Sequence, residues 1–305
     1  MLRGTLLYLS DQPKLKTLLG GPMTRPIVQR FVAGESLQDA VEAAKQINVN
    51  GMQVALDLLG ESVHDAEDAN AAAVQYIALL HAMDRAGLDA YASLKLTQMG
   101  LDIDPALCLR NVDRIVAQAA QLGFFVRVDM EGSAHTQATL DLFKNLRSRH
   151  HNVGIVIQSY LYRSEGDIHE LNALGAQVRL CKGAYNESAT VAYPQKADTD
   201  HNYVRLTQLL LTEGNYPAIA THDEEIIKET TRFVAQQGIG TEQFEFQMLY
   251  GIRRDLQEQL IRDGYRVRVY MPYGSEWYPY LMRRMAERPA NMMFILRGVL
   301  KERRT

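Results

Sequence analysis

The chain is poor in the features that staple a protein covalently or thread it through a membrane. Only two cysteines, Cys108 and Cys181, occur in 305 residues. They lie far apart and outside any CxxC spacing, which argues for a reducing compartment and against a disulfide framework or a structural zinc site. No apolar run reaches the length of about 18 residues that a membrane-spanning helix needs, so none is expected. The apolar start Met1–Leu7 is broken by Ser10-Asp11-Gln12-Pro13-Lys14 without a small-residue cleavage site, and no signal peptide is expected. An excess of charge of one sign is also missing. Lys and Arg number 33 against 36 Asp and Glu, a formal net charge of −3, which gives no electrostatic reason to expect nucleic acid. Neither GxGxxG nor GxxxxGK[ST] occurs, which weighs against a doubly wound nucleotide-binding sheet.

What is present is a regular alternation. After a helical opening that includes Ser36-Leu37-Gln38-Asp39-Ala40, short apolar runs rich in β-branched residues begin to alternate with longer amphipathic segments. The runs predict strands over Met52–Asp57, Ala92–Leu96, Phe124–Asp129, Gly154–Tyr160, Gln177–Lys182, Ala218–Thr221, Phe244–Met248 and Arg266–Met271. Helical patterns follow each of them, from Asp65–Ala86 to Trp277–Glu287. Eight strand–helix repeats are what a (β/α)8 barrel requires. The fold class expected is therefore α/β, a TIM-like (β/α)8 barrel over residues 46–305 preceded by an N-terminal helical arm over 1–45. With 47% hydrophobic and 23% charged residues, the chain has ample material for its core.

In such a barrel the chemistry sits where strands end and loops begin. Strand two ends at Lys95, strand three at Asp129-Met130-Glu131, and strand four carries Gln158-Ser159-Tyr160. Strand five runs Arg179-Leu180-Cys181-Lys182-Gly183-Ala184-Tyr185, strand six ends Thr221-His222-Asp223, strand seven Leu249-Tyr250-Gly251 and strand eight Tyr270-Met271-Pro272-Tyr273-Gly274. These positions would surround one mouth. Alternation points Lys95 into the barrel, where it would be salt-bridged to Asp129 or Glu131, hold substrate, or do both. Asp129 and Glu131 read either as a general acid/base pair or as counter-ions to the surrounding cations. His222-Asp223 invites a metal, but no second histidine stands at ligand spacing, and none is expected. The last helix places Tyr280, Arg283, Arg284 and Glu287 on one edge. That edge is either an anion clamp, two guanidinium forks suiting a carboxylate or phosphate, or a solvated basic helix end.

Together these stretches carry a family resemblance. Tyr280-x-x-Arg283-Arg284-x-x-Glu287-x-x-Ala290-Asn291, with Arg179-Leu180-Cys181-Lys182-Gly183-Ala184-Tyr185, Ala220-Thr221-His222-Asp223, Phe246-Gln247-Met248-Leu249-Tyr250-Gly251 and Arg268-Val269-Tyr270-x-Pro272-x-Gly274, resembles proline dehydrogenase in its short, monofunctional bacterial form. The likeness covers about residues 45–295 in matching order. It implies an FAD-bearing barrel that oxidises L-proline to Δ1-pyrroline-5-carboxylate and passes electrons to a membrane quinone. It further implies a separate pyrroline-5-carboxylate/glutamate-semialdehyde dehydrogenase as the next enzyme, because the aldehyde dehydrogenase domain of bifunctional relatives does not fit in this length. By motif, Lys95, Arg283 and Arg284 would hold the proline carboxylate, and Tyr270, Tyr280 and Leu249 would wall its ring. Asp129 would be the active-site acid and Arg179 would approach the reactive flavin N5. Met130, Gln158, Cys181, Lys182, Gly183, Ala184, Thr221, His222 and Glu287 would line the flavin. Two positions depart from the family pattern. Asn186 stands where many members have tryptophan, and Cys181 replaces an aliphatic residue. The expected location is cytoplasmic, with peripheral contact at the inner face of the cell membrane left open.

Three other readings use the same residues. A flavoenzyme for hydroxyproline or another cyclic imino acid would differ only in the pocket walls. A Schiff-base lyase or aldolase would use Lys95 or Lys182 as nucleophile. A non-catalytic barrel would merely bind an anion.

Overall fold

A computed structural model describes residues 25–60 and 63–287, with side chains from 28 to 282 inside those limits. Two helices, α1 (Arg25–Phe31) and α2 (Leu37–Val49), come first. The strands are β1 (Gln53–Leu58), β2 (Ala90–Leu94), β3 (Val126–Val128), β4 (Val153–Gln158), β5 (Val178–Cys181), β6 (Ala218–Ala220), β7 (Glu245–Leu249) and β8 (Val267–Tyr273). The helices between and after them are α3 (Ala66–Ala86), α4 (Pro105–Gln121), α5 (Thr136–Arg147), α6 (Ser164–Ala173), α7 (Lys196–Glu213), α8 (Glu224–Gln237), α9 (Arg254–Arg262) and α10 (Trp277–Glu287). The strands form a closed barrel in chain order. All pairings are parallel, and β8 closes on β1 from Gln53↔Arg268 to Leu58↔Tyr273. The expected (β/α)8 barrel is the fold observed.

Local sequence sets the helix ends. Asp65 and Asp104 cap α3 and α4 by accepting from backbone N–H groups one turn on, satisfying donors that a helix start leaves open. Asp223 caps α8 in the same way. Ser36 and Asp39 form a reciprocal capping box at α2, as S/T-x-x-E-type spacing would suggest. That helix spans residue 45, where the arm was expected to end, and buries Ala40 and Ala44 in the main core.

Strand two lies two residues earlier than expected, ending at Leu94. Lys95 therefore sits just past the strand, at the rim, and the chain turns through Thr97–Gly100 immediately afterwards. Strand three is cut back to three residues; beyond Val128 the Asp129 N–H still bonds the Leu94 carbonyl at 2.8 Å.

The core is divided by the two-residue period of the strands. Val54, Leu56, Ala92, Leu94, Val126, Val128, Leu180, Phe246, Met248, Val267, Val269 and Met271 are buried in the layer against the helices. The residues between them fill the lumen. A second apolar cluster joins Phe31 and Val32 of the N-terminal segment to Leu59 and to Trp277, Tyr278, Tyr280, Leu281 and Met282 of α10. It seats α10 beside the C-terminal ends of β1 and β8, fixed further by the Trp277 indole N–H donating to Glu35 at 3.0 Å.

Candidate active site

The lumen of this barrel is polar where branched aliphatic residues usually fill it. Asp57, Ser93, Lys95, Arg127, Asp129, Arg179, Glu245, Gln247 and Arg268 are all buried. Long charged side chains are rarely buried unless paired, and here the pairing is stacked along the barrel axis. Lys95 with Asp57 and Arg179 with Asp129 occupy the C-terminal half, and Arg268 with Glu245 the N-terminal half.

At the mouth the Lys95 ammonium lies 2.9 Å from both oxygens of Asp57. Asp129 accepts three donors: the Ser93 hydroxyl at 2.6 Å, Arg179 Nη1 at 2.9 Å and the Tyr270 hydroxyl at 2.8 Å. Arg179 Nη2 also donates to Ser93 Oγ at 2.9 Å and to the Tyr91 hydroxyl at 3.3 Å. Its guanidinium carbon stands 5.1 Å from the centre of the Tyr270 ring. Glu131 is engaged elsewhere, accepting from Thr97 N–H at 3.1 Å and Thr97 Oγ1–H at 2.6 Å.

These contacts fix protonation. Burial pushes the Asp57 carboxyl above its ordinary value, with Lys95 pulling it back. Burial alone would lower the Arg179 pKa, but Tyr91 and Asp129 hold it above the ordinary arginine value, so it stays cationic. Burial first, then the negative charge of Asp129, pushes the Tyr270 hydroxyl well up. Tyr270 is therefore a proton-bearing donor to Asp129.

One expectation is corrected. The carboxylate that holds Lys95 is Asp57, because Asp129 is occupied by three donors and Glu131 by Thr97. Asp57, Ser93, Thr97 and Tyr91 are site residues that the sequence reading missed. The signal was available for three of them. Asp57 closes an otherwise apolar strand, and Tyr91 and Ser93 share the alternation that marks Lys95.

The positions expected to line a cofactor follow the same rim. Gln158 donates from Nε2 to the Met130 carbonyl at 3.3 Å. Its Oε1 and the Arg179 Nε are buried without a hydrogen-bond partner, an acceptor and a donor suited to a polar heterocycle. Lys182 Nζ is bound by Asp200 and Asp223. Although partial burial would raise the Asp223 pKa, Lys182 holds it below the ordinary carboxylate value. Thr221 Oγ1 accepts from the Asp223 N–H, and His222 Nε2 accepts from the Leu249 N–H at 2.8 Å. The ring nitrogen at Nε2 is thus the unprotonated one. Gly183 has φ +107°, and a Cβ there would fall 2.3 Å from the Tyr160 ring, so the Lys182-Gly183-Ala184-Tyr185 turn requires glycine. Cys181 is half-buried and Ala184 exposed.

The substrate walls are partly assembled. Tyr270, midway along β8, and Leu249, at the end of β7, are half-buried, while Tyr280 is buried in the α10 cluster. The backbones of Arg283, Arg284 and Glu287 complete α10. Their side chains lie outside the described residues, as do Ala290 and Asn291.

The family model described as proline dehydrogenase matches residues 40–297. The proline dehydrogenase of Deinococcus radiodurans is 46% identical over 304 residues, covering 98% of both chains. Proline dehydrogenase 1 of Bacillus subtilis subsp. natto is 43% identical over 302 residues, covering 99% of this chain and all of the relative. Among solved structures, proline utilization A (PutA) from Bdellovibrio bacteriovorus, inactivated by N-propargylglycine, superposes with a TM-score of 0.82 at 26% identity. The match takes in 88% of this chain and 33% of that one, so the chain spans a third of that structure's length.

Proposed function

The chain belongs to the proline dehydrogenase family, in its short single-function form, and oxidises proline as the first step of proline catabolism; from that premise we propose that it does so with FAD, forming Δ1-pyrroline-5-carboxylate. Flavin would supply the two-electron acceptor, taking a hydride from proline C5 at its N5 and yielding the electrons afterwards to a quinone. The orphaned Arg179 Nε and Gln158 Oε1 favour a flavin here, since the isoalloxazine edge carries both acceptors and an N–H donor.

The chain's own residues then have three tasks. Arg283 and Arg284 with Lys95 would hold the proline carboxylate. Forked guanidinium donors fix its orientation as well as its charge. Tyr270, Tyr280 and Leu249 would wall the ring, so that C5 is held in a near-attack geometry. Arg179, kept cationic and aimed by Asp129, would stabilise negative charge as it develops at the redox centre. Loss of hydride from C5 requires the amine lone pair, so the amine must first be neutral. Asp129 already accepts from Ser93, Arg179 and Tyr270, and the amine proton is assigned to solvent. Met130, Cys181, Lys182, Gly183, Ala184, Thr221, His222 and Glu287 would complete the cofactor rim.

The observation that carries this reading is the Asp129 centre, where one carboxylate orders a cation, a hydroxyl and a tyrosine beside the Lys95–Asp57 pair. Its test is the visible spectrum of the purified protein under anaerobic titration with L-proline. Flavin bands that bleach are expected. A protein that neither takes up FAD nor responds to proline would refute the reading. Among the described residues no helix is long and apolar enough to cross a membrane, and a membrane quinone would be met at the surface. A separate dehydrogenase would consume the product after ring opening.

A further inference from the structure

The N-terminal end of the barrel, opposite the mouth, holds a buried arginine beside a cavity. The three lumen pairs use Asp57, Asp129 and Glu245, and the fourth lumen cation, Arg127, has no carboxylate within ion-pair distance among the described residues. It is only 1% exposed. Its Nη1 donates to the carbonyls of Gln177 at 2.6 Å and Ile155 at 3.3 Å, while its Nε has no partner. The guanidinium stands 4.9 Å from the Phe125 ring centre and 5.6 Å from that of Tyr91. A buried cation outside any ion pair is costly, and an anion beside it would lower that cost.

Beside it is a cavity of about 240 Å³, lined by Arg127, Arg268, Glu245 and the rings of Tyr91, Phe125 and Tyr216, with Gln177 at its rim. Glu245 is paired with Arg268 and also acts on Arg127, so two guanidinium groups share one carboxylate and the lining carries a net single positive charge. That charge suits a monoanion, and the Glu245 carboxylate on the wall disfavours a dianion. Three aromatic faces suit a short carbon chain. We propose that this cavity binds a small monocarboxylate, its carboxylate on Arg127 and its chain against Tyr91, Phe125 and Tyr216.

The site is separate from the mouth, and the test must keep the two apart, because the mouth is also proposed to bind a carboxylate. The probe is propionate at constant ionic strength, titrated calorimetrically into the full-length, flavin-loaded enzyme. Propionamide is the neutral control and inorganic phosphate, at about pH 8.5 where it is almost wholly doubly charged, the dianion. Gln177→Glu places a carboxylate at the rim in almost the same volume, supplying the missing counter-ion from the chain. In that variant the floor-binding component should weaken at least about tenfold, while competitive inhibition by propionate against proline, which reports the mouth, stays unchanged. Arg127→Met should abolish the same component. Equal propionate binding in Gln177→Glu and the parent would overturn the proposal. So would propionamide binding as tightly as propionate, or phosphate binding more tightly. If Arg127→Met fails to fold, the Gln177→Glu comparison decides alone.

Discussion

Replacing Asp57 by asparagine keeps the shape of the side chain and removes the charge that faces Lys95. The ammonium has both Asp57 oxygens at 2.9 Å and its side chain is 11% exposed, against 1% for its partner. Solvent therefore screens the pair little, and breaking one partner of such a pair costs about 3 to 5 kcal/mol. With an unfolding entropy of about 2.1 cal/mol/K per residue, a chain of 305 residues loses roughly 1.6 °C for each kcal/mol. The melting temperature of Asp57→Asn should fall by roughly 5 to 8 °C. The double variant Asp57→Asn with Lys95→Met removes both charges of the pair, and should recover part of that loss. Calorimetry of the parent, both single variants and the double completes the cycle. A single variant that melts within about 1 °C of the parent, or a double variant less stable than Asp57→Asn alone, would refute the reasoning that Asp57 holds Lys95 in a dry lumen.

The Glu245–Arg268 pair gives a pH signature. Burial alone would raise the Glu245 pKa, but Arg268, helped by the Gln247 amide and the Arg127 charge, outweighs it and the net shift is downward from 4.5. A depressed carboxyl adds stability that is fully present above its unfolded value and is lost as pH falls through the folded one. Stability should therefore decline on acidification below about pH 4.5, and Glu245→Gln should flatten that decline; an unaltered acid limb in the variant would show that the pair does not contribute. Arg283→Lys should raise KM for proline about tenfold or more, with a smaller effect on kcat, because a point charge replaces a fork. An unchanged KM would remove Arg283 from the proposed carboxylate clamp. Gly183→Ala should lower flavin occupancy, since its Cβ would meet the Tyr160 ring at 2.3 Å from a backbone at φ +107°. Full occupancy, read from the absorbance ratio at 450 and 280 nm (roughly, the flavin and protein bands), would show that the turn relaxes freely.

The sequence by itself determined the architecture, because strand and helix periods are local and each repeat announces its own element. Runs such as Ala90-Tyr91-Ala92-Ser93-Leu94-Lys95 and Val267-Arg268-Val269-Tyr270-Met271 state both that a strand is present and that its two faces differ. The rim positions Lys95, Asp129 and Arg179 were legible for the same reason, since in this fold the end of a strand is the mouth. Tertiary structure alone decided who meets whom there. Lys95 and Asp57 are 38 residues apart, Arg179 and Asp129 are 50 apart, and Tyr270 and Asp129 are 141 apart. No local period encodes those distances. They follow from the closure of β8 on β1 and the stagger between neighbouring strands, which bring residues of different strands to one height in the lumen. Those same constraints pair Asp57, Asp129 and Glu245 with three cations and leave Arg127 outside any ion pair among the described residues, a placement that charge composition conceals because it counts charges without placing them.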